Sequence, residues 1–129
     1  MTRFDAATNI ATLAGFQRAT VDHVIKRFYA DDDTTRRFLV ADETGLGKSL
    51  VARGVVARSI ERLQDDPDVG RIDIVYVCSN ADIARQNVKR LDVIGQQQTV
   101  TSRLTLLARG AHRLDGEPSH RTLPLLDGT

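Results

Sequence analysis

The stretch Gly45-Leu46-Gly47-Lys48-Ser49 constrains the fold more than any other, because of what flanks it. Upstream, Arg37-Phe38-Leu39-Val40-Ala41 is a short apolar run leading directly into the glycines, as a buried strand entering a tight turn would. Downstream, Lys48 to Leu63 has helical periodicity, with Ala52, Val56, Ile60 and Leu63 on one face and Arg53, Arg58, Glu61 and Arg62 away from it. A strand, a glycine turn and a helix in that order predict the opening of a layered α/β unit.

The rest of the chain extends that alternation. Before it, Val21, Val24, Ile25 and Phe28 fall at helical spacing within Gln17 to Tyr29, and Asp31-Asp32-Asp33-Thr34 ends the helix. After it, Asp65 to Gly70 is turn chemistry, and Ile72-Asp73-Ile74-Val75-Tyr76-Val77-Cys78 is a β-branched run of the kind found in parallel strands covered on both faces. Ala84, Val88 and Leu91 mark a following helix, and Thr99 to Leu107 reads as one more strand. The expectation is an α/β fold with a parallel sheet, flanking helices and right-handed crossovers. From about Ala108 the pattern stops, and 108–129 reads as an irregular tail.

Composition limits the function classes. At 129 residues the chain has room for one domain. Its net charge of +1 excludes a whole-chain basic excess, so any nucleic-acid contact must be local. The single cysteine, Cys78, excludes an internal disulfide and a cysteine-based zinc site, and reads as a small buried residue. No run approaches the roughly 18 apolar residues that span a bilayer. The segment Met1-Thr2-Arg3-Phe4-Asp5 lacks the apolar core of a signal peptide, so a cytoplasmic location is the default expectation. His112 and His120 lie in the patternless tail without a thiol or paired carboxylate nearby, and His23 reads as a surface helix residue. Asp31-Asp32-Asp33 reads as a solvated loop.

The loop itself carries the chemistry. A polyphosphate needs several backbone N–H groups pointing into a concavity, a mobile cation, and a hydroxyl for magnesium. Within Thr44-Gly45-Leu46-Gly47-Lys48-Ser49 the glycines permit close approach, Lys48 can reach the β- and γ-phosphates, and Ser49 can ligate Mg²⁺ at the helix start. The strict phosphate-loop pattern places a glycine five residues before Gly47, where this chain has Asp42.

Asp42-Glu43-Thr44-Gly45-Leu46-Gly47-Lys48-Ser49 resembles motif I of the superfamily 2 helicases and translocases, in the form used by the SNF2 family, where Asp at this position is usual. The resemblance implies an incomplete N-terminal RecA-like ATP-binding lobe over residues 1–107, its matched motifs lying between about 16 and 107. Phe16-Gln17 is similar to the upstream Q motif, which implies that Gln17 hydrogen bonds the adenine edge and selects ATP over GTP. Cys78-Ser79-Asn80-Ala81-Asp82-Ile83-Ala84-Arg85-Gln86 resembles motif Ia, with Ser79 in place of the usual Pro and Ala81 in place of the usual Arg. That likeness implies a nucleic-acid backbone contact through Ser79, Asn80 and Gln86, and the SNF2 resemblance favours DNA over RNA without deciding between them. The residues themselves equally describe a capped helix with Ser79 or Asn80 as its N-cap.

Hydrolysis in that family also needs an acidic Asp-Glu-x-His box and an arginine from a second lobe. Neither occurs after Gln86, so no residue is assigned a catalytic role. The expectation is ATP and Mg²⁺ binding with little or no turnover, in a chain that is a truncated or frame-shifted product or a genuine short protein. The alternatives are another phosphate-loop class, such as a small-molecule kinase, and a non-catalytic fragment that binds nucleotide or a partner.

Overall fold

The computed structural model describes residues 3–95 and 121–126, and for the latter the backbone alone. The chain divides into two compact units, Met1–Asp66 and Pro67–Thr129.

The first unit is helical. It contains α1 (Ala7–Ala11), α2 (Gly15–Tyr29) and α3 (Lys48–Leu63), with α1 and α2 both packed on α3. The two longer helices lie where the apolar periodicity predicts, and α1 has no counterpart in the sequence reading. The buried stripe of α3 is displaced from the expected one: Val51, Gly54, Ala57 and Ile60 are buried, whereas Ala52 is exposed and Val56 and Leu63 are only half-buried. Gly54 causes the displacement. A Cβ there would lie 2.7 Å from Val21 Cγ2 and 3.0 Å from Leu13 Cδ1, so the missing side chain is what lets α2 and the α1–α2 turn approach α3. The glycine thus acts as a core position although its own hydropathy is negligible. On α2 the buried residues are Gln17, Val21 and Val24.

The start of the chain is tied to the far end of α3. Gln64 accepts from the Phe4 N–H at 2.9 Å and donates to the Phe4 carbonyl at 2.7 Å, Glu61 accepts from the Ala6 N–H at 3.2 Å, and Arg3 pairs with Asp65. At the exit of α2, Asp31 accepts from Arg27 at 3.1 Å, so one residue of the acidic triplet neutralises the basic last turn of the helix.

The expected strand Arg37–Ala41 is not one. It forms no ladder with any described strand, and Leu39 is 84% exposed. A strand exists only through a neighbour's N–H and C=O groups. This segment is held through a side chain instead: the Phe38 ring meets His23 and Phe28 of α2 edge-to-face at 5.5 and 6.5 Å.

The second unit contains β1 (Asp73–Cys78), α4 (Ala81–Leu91) and β2 (Arg121–Leu126). The strands pair in parallel, Asp73 opposite Arg121 through Cys78 opposite Leu126, and α4 packs on both. Ala84, Val88 and Leu91 form the buried face of α4, as their spacing predicts. Asn87 donates to the Tyr76 hydroxyl at 2.8 Å, fixing α4 against β1. Along β1 burial alternates, with Ile74, Tyr76 and Cys78 half-buried and Asp73, Val75 and Val77 exposed. The continuous apolar run of this strand therefore has one open face among the described residues.

β2 corrects the reading of residues 108–129 as irregular throughout. Pro124 and the neighbouring turn-forming residues mask the strand in the sequence, yet a proline lacking its N–H is compatible with an edge strand. The strand expected over Thr99–Leu107 lies outside the described residues, as do His112 and His120. Among the described residues, no helix is long and apolar enough to cross a membrane.

Candidate functional site

The glycine loop joins the Phe38-anchored segment to α3. Gly45 and Gly47 have φ of 92° and 77°, in the left-handed region that favours glycine, and these two residues allow the chain to turn twice before α3 begins. Gly47 is the N-cap of α3 and carries no capping side chain, and its carbonyl accepts from the N–H groups of Leu50 at 2.9 Å and Val51 at 3.1 Å. The N–H groups of Gly45, Gly47, Lys48 and Ser49 hydrogen bond to no described residue. Four amides are thus left at the positive end of a sixteen-residue helix. The first acidic residue on α3 is Glu61, so its opening turn has no competing negative charge.

Lys48 turns back over the loop. Its Nζ donates to the carbonyls of Asp42 at 2.8 Å and Glu43 at 2.9 Å, which engages two of its three protons and leaves one. The ammonium is thus folded back within its own loop, held by neutral carbonyl acceptors, and a charge-assisted hydrogen bond to an anionic oxygen is stronger than one to a neutral carbonyl. Ser49 is half-buried in the first helical turn, whereas Thr44 and Leu46 are exposed. Asp42, the departure from the strict phosphate-loop pattern, uses its backbone carbonyl here and remains exposed.

Gln17 is buried beneath the loop. It is only 7% exposed, with Oε1 accepting from the Ala14 N–H at 2.9 Å and Nε2 donating to the Leu46 carbonyl at 3.0 Å. The side chain thus stitches the first turn of α2 to the loop, and little of it is accessible to a ligand. Its neighbour Phe16 is 53% exposed.

In the second unit, Asn80 is the N-cap of α4, its Oδ1 accepting from Asp82 N–H at 2.9 Å and Ile83 N–H at 3.2 Å. Two amides that a phosphate would use are occupied by this cap. Ser79 and Gln86 are exposed, Asp82 adds negative charge to the first turn, and Arg85 pairs with Asp82 at 3.0 Å. Cys78, half-buried rather than buried, directs its thiol to the Asn80 carbonyl at 3.1 Å. Sequence reasoning missed the Gln17–Leu46 bond, and only the helical register of Gln17 with Val21 and Val24 could have signalled that the side chain faces inward.

The residues present fit a polyphosphate: open amides, a lysine within the same loop, and open space beside Gly45, where a Cβ would meet nothing within 4 Å. For Mg²⁺ the sequence reading assigns the Ser49 hydroxyl, and the exposed side-chain oxygens of Asp42, Glu43 and Thr44 lie in the same stretch. No group of three His, Cys, Asp or Glu side chains that could hold a metal occurs among the described residues. Comparison with protein-family models, curated proteins and solved structures returns no match.

Proposed function

We propose that the chain binds ATP, with Mg²⁺, through Thr44–Ser49, and that it represents the front part of the N-terminal RecA-like α/β lobe of a SNF2-like DNA-dependent ATPase. The observation that carries the binding reading is the group of four amides in and after the glycine loop with no partner among the described residues, in the same loop as the Lys48 ammonium. The motor family and the adenine nucleotide rest on the sequence resemblance, and the cytoplasmic setting on the default expectation drawn from the N-terminal sequence.

Lys48 supplies a charge for the β- and γ-phosphates, the amides of Gly45 to Ser49 supply directed N–H groups, and Ser49 supplies a hydroxyl for magnesium. The chain contains no Asp-Glu-x-His box after Gln86, so little or no ATP turnover is expected of it alone. In the complete motor, Ser79, the Asn80 amide nitrogen and Gln86 would meet the DNA backbone, contributing position and not sequence preference.

Isothermal titration of the full chain with Mg²⁺-ATP tests the binding reading. Lys48→Ala abolishes measurable binding while leaving the helical circular dichroism intact, because its side-chain partners among the described residues are two loop carbonyls. Equal affinity of wild type and Lys48→Ala refutes the assignment.

A further inference from the structure

We propose that Gln17 is a positioning residue that aims the Gly47 N–H at phosphate, so that its contribution to binding is independent of the base. The inference rests on the phosphate-loop reading and departs from the base-reading role that the sequence resemblance implies.

The argument begins with the peptide between Leu46 and Gly47. The described chain contains no cis peptide bond, and in a planar trans peptide the C=O and the N–H point in opposite directions. Gln17 Nε2 holds the Leu46 carbonyl at 3.0 Å, on the side of α2. The Gly47 N–H is thereby directed away from α2, and it has no partner among the described residues. Glycine at 47 permits more than one orientation of the Leu46–Gly47 peptide, and the Gln17 bond selects one of them.

Three further observations fix the arrangement. Oε1 is engaged by the Ala14 N–H at 2.9 Å, so the amide plane is set from within the first turn of α2. A Cβ on residue 47 would lie 2.4 Å from Nε2 and 3.6 Å from Cδ of Gln17, so a side chain at 47 and the present position of the Gln17 amide exclude one another. With 7% of Gln17 exposed, reading a base edge, which needs an accessible donor and acceptor side by side, would require both present bonds to open.

The test measures affinities of the full chain for ATP, GTP and inorganic tripolyphosphate, each with Mg²⁺, in wild type and in Gln17→Met, which keeps length and apolar volume and removes both hydrogen bonds. The expected result is a loss of roughly threefold to tenfold, the range for one hydrogen bond, that is the same for all three ligands. A loss confined to ATP makes Gln17 a base reader; unchanged affinity for all three makes it a packing residue; either outcome overturns the proposal. Where Gln17→Met lacks a cooperative unfolding transition, Gln17→Glu retains an acceptor for Ala14, removes the donor to Leu46, and is judged by the same three ratios. Lys48→Ala, run in parallel, separates the two readings: wild type that binds none of the ligands overturns the loop assignment and this proposal together. Wild-type binding lost in Lys48→Ala, with Gln17→Met unaffected, overturns only the role of Gln17.

Discussion

Gly54→Ala sets two well-known tendencies against each other in the middle of α3. Alanine is favoured over glycine inside a helix by about 1 kcal/mol. The same methyl would arrive 2.7 Å from Cγ2 of Val21, which is fully buried and β-branched, and 3.0 Å from Leu13 Cδ1. Leu13 can turn its terminal methyl, but Val21 has one strongly preferred rotamer in a helix and must move with its backbone. Overpacking of a filled core costs about 1 to 3 kcal/mol, so the net expectation is destabilisation of up to about 2 kcal/mol despite the better helix former. A double-mutant cycle with Val21→Ala isolates the contact. Removing the valine methyls alone creates a cavity and destabilises, whereas in Gly54→Ala/Val21→Ala the new methyl enters that space, giving a favourable coupling of about 1 kcal/mol or more. Urea unfolding followed by helical circular dichroism, analysed with a common slope, reads the four stabilities. Stabilisation by Gly54→Ala alone, together with additive effects in the double variant, would refute the close approach of α2 to α3.

Other consequences divide between the loop and α4. Gly45→Ala and Gly47→Ala both meet a positive φ, but only the second also drives a Cβ into Gln17, so Gly47→Ala lowers ATP affinity at least about tenfold further, measured by titration. Equal losses would show that backbone strain alone governs the loop. Asn80→Ala removes the N-cap of α4 and destabilises the second unit by about 1 kcal/mol, seen as a fall in the urea midpoint. Ser79→Ala and Gln86→Ala alter exposed positions and leave that midpoint unchanged. If the DNA reading is right, both weaken binding of a labelled single strand by fluorescence anisotropy, uniformly across sequences; unchanged anisotropy curves for both would remove DNA contact from this helix.

The legible part of the fold is the part governed by local periodicity. The bounds of α3 follow from Lys48 after the glycines and from the turn residues after Leu63, and the buried face of α4 from Ala84, Val88 and Leu91. What failed depended on a partner that local sequence does not name. Arg37–Ala41 has strand composition but no ladder, and Arg121–Leu126 has a strand-breaking proline and yet pairs with β1. The face of α3 was misplaced because hydropathy gives no weight to Gly54, whose absent side chain defines the closest helix contact.

The candidate site divides along the same line. Gly45, Gly47 and Lys48 were legible because each acts through its own backbone or over its own loop, within six residues of its partners. Gln17 was legible as a residue belonging to the site and illegible as to its role, since its partner is the Leu46 carbonyl 29 residues away. A glutamine offers a donor and an acceptor to whatever lies within reach, and its identity alone does not distinguish a purine edge from a peptide group. Burial and bonding support the second, under the positioning role proposed for Gln17: reading a base would require the amide to release both of its present partners, whereas an amide satisfied on both sides acts through what it holds. In this chain it holds the one carbonyl whose orientation sets the direction of the Gly47 N–H.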